Sequence, residues 1–414
     1  MPLLWRDPNC YFEDIRLIRI FLLTLNAEEQ ALLIPFNISI PSHPKPLFEY
    51  TSYITSVSSY LPEGIIKWLW NEGHNSTYDF KYVIEYSLII MFLRTSMNLK
   101  HLSLNYEFFN RLDIGLIKLG TEGMKTLLEA LYKNTVLNFL GFYDNRISAK
   151  EVNILAKFLC NNTTLTTLDL CDNNLGSEIG KALADALYKN TTLTSLYLTC
   201  NNLGLEGEKA LADALYENTT LTSLDLSGNK LGAEGGKALA DALCKNTTLK
   251  GLTLGENNIG LEGGKALADA LCKNTTLTSL NLYWNNLGPE GGKVLADALC
   301  KNITLTSLNL HWNDIGNEGG KALADALCKN TALTSLVLSE NDLESEVGKA
   351  LSYALCKNVS LKDLNLRNNK IGLEGGRALA DALCKNNTLT SLDIWRNDIN
   401  FRIKSNNLNL EILQ

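Results

Sequence analysis

The sequence predicts an α/β solenoid, and three observations predict it. The first is a period. From residue 109 to residue 399 one phrase recurs every 28 residues, most plainly at 277–304 and 305–332. The second is a frame, L-x-x-L-x-L-x-x-N-x-L, which starts at Leu165, Leu193, Leu221, Leu249, Leu277, Leu305, Leu333, Leu361 and Leu389. Leu137 opens a looser copy and Phe109 a degraded one, where Ile117 stands in place of the asparagine. The third is a change of spacing inside each copy. Leu280 and Leu282 alternate as in a strand with one buried face. Leu295 and Leu299 are four apart, as on one face of a helix.

A fixed period in the twenties with this frame is the signature of a leucine-rich repeat solenoid. The expected architecture is a right-handed horseshoe, with parallel strands inside, helices outside and a core running as a line between neighbouring copies. The strand opens each copy. An asparagine follows where the chain turns, at Asn145, Asn173, Asn201, Asn229, Asn257, Asn285, Asn313, Asn341, Asn369 and Asn397. A buried asparagine is tolerated only when its amide is satisfied. These residues are therefore expected to form a ladder, bonding the backbone of their own turn and of the next. Gly288 comes after the turn, and Gly291 and Gly292 are expected to start the helix. Ala296 and Ala298 would keep adjacent helices close.

The helix ends on Cys160, Cys244, Cys272, Cys300, Cys328, Cys356 or Cys384, with Tyr188 and Tyr216 in that slot in two copies. Equivalent residues on stacked helices lie about 8–10 Å apart, beyond the roughly 7 Å between Cα atoms that a disulfide spans. No C-x-x-C pair offers a zinc site. The expectation is a structural ladder of reduced thiols in a reducing compartment. The Asn-Thr-Thr runs, such as Asn190-Thr191-Thr192, read as glycosylation sequons that are by-products of the repeat.

The flanks differ. Residues 1–98 lack the repeat and are expected to be a helical cap. Ile15, Ile18, Leu22 and Leu25 have helical spacing. Asn26 with Glu29 suggests a capping box. Pro41, Pro44 and Pro46 punctuate a loop. Phe80, Val83, Ile84, Ser87, Leu88 and Met91 suggest a one-faced helix, running into a strand-like segment from Leu99 to Leu104. The repeat array is placed at 99–399. Residues 400–414 form a partial cap through Leu408, Leu410 and Leu413, or else leave an apolar end.

Composition narrows the function. The chain has 414 residues, 45% of them apolar, and a formal charge of −7. Without a basic footprint, nucleic acid is not an expected partner. The start lacks a signal-peptide pattern, and the most apolar stretch, 83–93, is too short to span a bilayer. The expected location is the cytoplasm, or the nucleus, with no membrane association. The histidines His43, His74, His101 and His311 are scattered. Asp185, Asp213, Asp241, Asp269, Asp297, Asp325 and Asp381 recur once per copy, as solvated helix positions do. The Gly-Gly-Lys triplets lack the spacing of a phosphate loop. No catalytic site, metal or cofactor is expected.

The frame, with its Glu-Gly-Gly-Lys-Ala-Leu-Ala-Asp-Ala-Leu helices, resembles the ribonuclease-inhibitor-like class of leucine-rich repeat proteins. That class includes the repeat domains of NOD-like receptors and of Ran GTPase-activating protein. The resemblance implies the fold and leaves the partner open. Leu4-Trp5-Arg6-Asp7-Pro8 and Lys45-Pro46-Leu47-Phe48-Glu49-Tyr50 are similar to the segment after the F-box in fungal F-box/leucine-rich-repeat proteins. This implies substrate recognition for a ubiquitin ligase. Met1 falls almost on the string, so the F-box helices are expected to be absent, and ligase components are partners only if an F-box is encoded upstream.

Most residues between the leucines on the inner face are Thr, Ser or Asn. The departures are Tyr283, Trp284, His311 and Trp312 in matching slots, and Arg367, Trp395 and Arg396 near the end. Tyr143, Asp144, Tyr197, Asp169, Asp172 and Asp225 mark the first half. Exposed aromatics and arginines are what interface hot spots are made of. A protein partner on the concave face is therefore expected at Tyr283, Trp284, His311, Trp312, Arg367, Trp395 and Arg396. Two alternatives are GTPase activation of the Ran type, for which Arg146 would touch a phosphate, and a binder of the NOD-like-receptor type.

Overall fold

The computed structural model describes residues 13–31, 33, 38, 51, 54, 56–57, 61–73, 78–96, 99–103, 120–133, 135–143 and 147–414. Outside them lie the strings at 4–8 and 45–50, the three prolines, His43, His74, residues 109–119 of the copy opened by Phe109, Asp144, Asn145 and Arg146. The chain divides into two compact units, Met1–Leu175 with Lys189–Leu193, and Gly176–Tyr188 with Thr194–Gln414.

The first unit runs α1 (Ile15–Thr24), α2 (Ala27–Ala31), β1 (Ser56–Val57), α3 (Leu61–Asn71), α4 (Tyr78–Thr95), β2 (His101–Ser103), α5 (Gly120–Lys133), β3 (Phe139–Gly141), α6 (Ala149–Leu159) and β4 (Thr167–Asp169). Its strands pair in parallel in the order β1-β2-β3-β4. His101 pairs with Phe139, a separation of 139 − 101 = 38, whereas Phe139 pairs with Thr167 at 167 − 139 = 28. β2 thus joins the sheet out of step with the repeat.

Asp14 caps α1 by accepting from the Arg16 N–H, and Leu17, Ile18, Phe21 and Leu22 are buried. Asn26 and Glu29 form a reciprocal capping box at α2, with bonds of 2.8 and 2.7 Å. Glu29 is buried and also accepts from Arg94 Nε at 2.8 Å and Nη2 at 2.9 Å. That pair ties α2 to α4. The one-faced reading of α4 is corrected. Ile89, Phe92 and Leu93 are buried as well as Ile84, Leu88 and Met91, because α1, α2, α3 and α5 all pack on it.

The second unit runs α7 (Ser177–Lys189), β5 (Ser195–Tyr197), α8 (Gly204–Glu217), β6 (Ser223–Asp225), α9 (Gly232–Leu243), β7 (Gly251–Thr253), α10 (Gly260–Leu271), β8 (Ser279–Asn281), α11 (Gly288–Leu299), β9 (Ser307–Asn309), α12 (Gly316–Leu327), β10 (Ser335–Val337), α13 (Ser345–Leu355), β11 (Asp363–Asn365), α14 (Gly372–Leu383), β12 (Ser391–Asp393) and β13 (Glu411–Leu413). Strands β5 to β13 pair in parallel in chain order. Leu280 and Leu282 from the strand side meet Leu295 and Leu299 from the helix side in the core, each at most 1% exposed.

Each α11-type helix begins at the glycine after the turn, not at the Gly-Gly pair. Gly288 has φ +68°, which a side chain resists. Gly291 and Gly292 lie within α11. A Cβ on Gly292 would stand 2.9 Å from Gly319 Cα, so this glycine is needed for the close approach of α11 to α12.

The terminal segment supplies β13. Ile394 N–H donates to Leu413 O, and Asn407 Nδ2 donates to Leu389 O at 2.7 Å. Ile403 is the buried apolar residue there, while Leu408 is 98% exposed. The expected use of Leu408 in a cap is therefore corrected.

Candidate functional site: the strand face of the second unit

Two asparagine ladders set the turns on which the site stands. In the first, Asn285 Nδ2 donates to Leu282 O at 3.0 Å and Tyr283 O at 3.2 Å in its own turn, and to Leu254 O at 2.8 Å in the preceding copy. Its Oδ1 accepts from the Asn257 and Ile259 N–H groups, also in the preceding copy. Asn173, Asn229, Asn257, Asn313, Asn341, Asn369 and Asn397 each donate to a carbonyl 31 residues back, as Asn285 does. Asn201 donates to Leu198 O and Thr199 O in its own turn. The side chains reach backwards, not to the next copy as the sequence suggested. The carbonyl three residues before each ladder asparagine faces the following copy, as Leu282 O does in accepting from Asn313 Nδ2, so the amide that meets it comes from that copy.

The second ladder was not read from the sequence. Asn190, Asn218, Asn246, Asn274, Asn302, Asn330, Asn358 and Asn386 are all buried where the helix returns to the strand. Asn274 Nδ2 donates to Leu243 O at 2.8 Å, and its Oδ1 accepts from the Thr276 and Leu277 N–H groups. Asn190, Asn218, Asn246 and Asn274 open Asn-Thr-Thr runs, and Asn302, Asn330, Asn358 and Asn386 hold the same slot with other residues after them. Their presence in every copy was the available signal, masked by the likeness to a sequon. Their amides are sealed from a glycosylating enzyme in the folded chain.

The cysteine slot sits on the surface. The thiols are free, with Cys272, Cys300, Cys356 and Cys384 exposed and Cys160, Cys244 and Cys328 half-buried. Their ladder is not packed inside the core. The recurring helix aspartates, Asp297 among them, are exposed.

On the strand face, the residue just before each ladder asparagine adopts a left-handed backbone. Asp172, Cys200, Gly228, Glu256, Trp284, Trp312, Glu340, Asn368 and Arg396 all have φ between 52° and 66°. This conformation suits Gly, Asn and Asp and disfavours bulky side chains. Trp284 and Trp312 adopt it nonetheless. Both are 46% exposed, and their rings stack at 4.9 Å between centroids with planes 7° from parallel. The preceding residue in each copy behaves differently. Tyr283 is half-buried and lies back over Gly255. Desolvation, then the charge of Glu256, pushes its phenol up to about 12. His311 meets Trp312 edge to face, and its Nδ1 lies 2.8 Å from Ser339 Oγ. Tyr283 and His311 are thus engaged with neighbouring copies, and the two tryptophans present the free ring faces.

Near the end of the array, Arg367 and Arg396 lie over the Trp395 ring at 4.4 and 4.1 Å. The two groups of residues are separated by one copy, which contributes Ser339 and Glu340. Asp169 and Asp225 have a local purpose. They accept from the Cys171 and Ser227 N–H groups two residues on, as Asn281, Asn309, Asn365 and Asp393 do in their copies. Tyr143 is exposed and Tyr197 half-buried.

One buried acid stands away from this face. Glu208 in α8 occupies the slot of Gly236 in α9 and is fully buried. Neither carboxyl oxygen has a hydrogen-bond partner among the described residues, and burial pushes its pKa up to about 9. Among the described residues no group of three His, Cys, Asp or Glu could hold a metal. None of the described helices is long and apolar enough to cross a membrane.

The strand-turn-helix coil with its asparagine turns defines a leucine-rich-repeat solenoid. The Leucine Rich repeat family matches residues 161–184, 189–212, 217–240, 245–268, 273–296, 301–324 and 357–380. Among solved structures, the leucine-rich repeat-containing protein LegL7 from Legionella pneumophila is 27% identical over 58% of this chain and 77% of its own, with a TM-score of 0.42. A chain of the yeast Rad7 and Elc1 complex is 16% identical over 79% of this chain and 77% of its own, with a TM-score of 0.49. The actin-binding site 2 of leiomodin-1 is 26% identical over 30% of this chain and 75% of its own, with a TM-score of 0.29. No curated protein matches the sequence.

Proposed function

We propose that this chain is a non-enzymatic protein-binding module whose strand face recruits one partner through Tyr283, Trp284, His311, Trp312, Arg367, Trp395 and Arg396. The observation that carries the reading is the exposed Trp284–Trp312 stack, held in a backbone conformation that disfavours tryptophan. Large aromatics kept in solvent at a conformational cost are typical of an interface that buries them on binding. Tyr283 and His311 then act as supports that fix the stack's footing, and Arg367 and Arg396 hold Trp395 flat.

The more specific form of the proposal is a ribonuclease-inhibitor-like recognition protein related to F-box adaptors of ubiquitin ligases. It rests on the strings at 4–8 and 45–50. Ran-type GTPase activation has no comparable support, since Arg146 lies outside the described residues. The test is cross-linking of partners in cells to the wild-type chain and to the Trp284→Ala/Trp312→Ala variant. Loss of one cross-linked partner from the variant supports the strand face. An unchanged partner set would remove it. A Skp-type adaptor recovered with the wild-type chain would support the ligase form, and its absence would leave a stand-alone binder.

A further inference from the structure

The row of left-handed turn residues gives the proposed surface a chemical preference. Consecutive copies place Glu256, Trp284, Trp312 and Glu340 in it, all with φ between 52° and 56°. Backbone bonds keep the row in register. Glu256 N–H donates to Tyr283 O, Trp284 N–H to His311 O, Trp312 N–H to Ser339 O and Glu340 N–H to Arg367 O. With one backbone conformation repeated, the side chains leave the turns in the same direction. The tryptophan pair is therefore bracketed by a carboxylate on each side along the row. Glu256 is exposed, and Glu340 is half-buried and accepts from Asn368 Nδ2. In the next row, Asp314 follows Trp312 across the ladder asparagine and is exposed.

We infer that the Trp284–Trp312 pair docks a lysine or arginine side chain from an extended segment of the partner protein on an outer ring face, with Glu256 receiving its charge on the Trp284 side or Glu340 on the Trp312 side. The ring faces supply the attraction of an aromatic quadrupole for a cation, and the flanking carboxylates add charge-assisted hydrogen bonds. An acidic segment would meet repulsion from Glu256, Asp314 and Glu340 together. The charge of the bracket is thus what selects the occupant. This inference rests on the strand face being the binding surface.

The test uses the full chain and short peptides that alternate glycine with arginine, lysine, glutamate or serine, followed by tryptophan fluorescence and by anisotropy of a labelled peptide. The arginine and lysine peptides should bind, weakening as salt is raised, and the glutamate and serine peptides should not. Glu256→Gln with Glu340→Gln keeps shape and fold and should weaken the basic peptides about tenfold. Trp284→Gly with Trp312→Gly should abolish their binding. Gly228 occupies the same slot, so the backbone accepts this change, and circular dichroism verifies folding. Binding of the glutamate or serine peptide that needs the two tryptophans would overturn the cationic preference while leaving the strand face intact. Basic peptides that bind the double glycine variant as well as the wild type would overturn it too. Should no peptide depend on the tryptophans, the inference fails, and the cross-linking experiment decides separately whether the face binds a protein.

Discussion

The ring of Tyr283 fills the space that a side chain on Gly255 would need, since a Cβ there would lie 1.8 Å from Tyr283 Cε1. The two residues are the same slot in consecutive copies, so a large side chain in one requires the smallest in the other. Tyr283 also depends on this glycine to bring its hydroxyl to Ser227 and Glu256.

Gly255→Ala is expected to destabilise the second unit by about 1–3 kcal/mol by displacing the ring. Adding Tyr283→Ala should return part of that loss. Urea unfolding of the two single variants and the double variant measures the coupling, and additive effects would refute the steric account.

The asparagine rungs should be costly to remove. Asn285→Ala strips partners from the Leu254 and Leu282 carbonyls and from the Asn257 and Ile259 N–H groups. Asn274→Ala does the same at the helix return. Each should lose about 1–3 kcal/mol or more. Asn285→Asp keeps the acceptor and loses the donor, so protection of the Asn257 and Ile259 amides in hydrogen exchange should persist in it and vanish in Asn285→Ala.

Much of this fold was legible because the core and the period are the same signal. Among the described residues every leucine of the frame is buried, so a 28-residue period in the sequence is a 28-residue step in the sheet. The second ladder was hidden because Asn-Thr-Thr has a plausible chemical meaning of its own. The site was legible only as a set of slots. Nothing in the string Tyr283-Trp284 says that one ring folds back over Gly255 while its neighbour stands in solvent. That difference comes from the left-handed φ at Trp284, a property of the turn that glycine, asparagine and aspartate in sibling copies hinted at.

Glu208 makes stability depend on pH. Its folded pKa of about 9 lies above the ordinary 4.5 of a glutamate, so the folded state holds a proton that the unfolded chain releases. The resulting stability is complete below the unfolded value and is lost as pH rises towards 9. The slope reaches at most about 1.4 kcal/mol per pH unit. Glu208→Gln removes the titration, and its stability should be flatter than wild type between these values. Parallel curves for the two proteins from pH 5 to about 9 would show that the acid is hydrated.

In the first unit, Arg94→Ala leaves Glu29 buried without its bidentate partner. About 1–3 kcal/mol should be lost, moderated by the part-exposure of the arginine. Hydrogen exchange should rise across α1, α2 and α4 and stay unchanged in β8 to β12. A uniform rise throughout the chain would contradict a local role.

The asparagine ladders have a consequence for how such a chain changes over generations. Their bonds between neighbouring copies join residues 26, 28 or 31 apart, as for Leu231 with Asn257, Asn229 with Asn257 and Leu198 with Asn229. Unequal exchange between two near-identical copies in a gene adds or removes one whole period and leaves every one of these separations unchanged. The product keeps a low contact order, so its folding speed depends on neighbouring copies and hardly on total length. Array length is therefore a nearly neutral character, and what such an exchange alters is only which turn residues stand side by side.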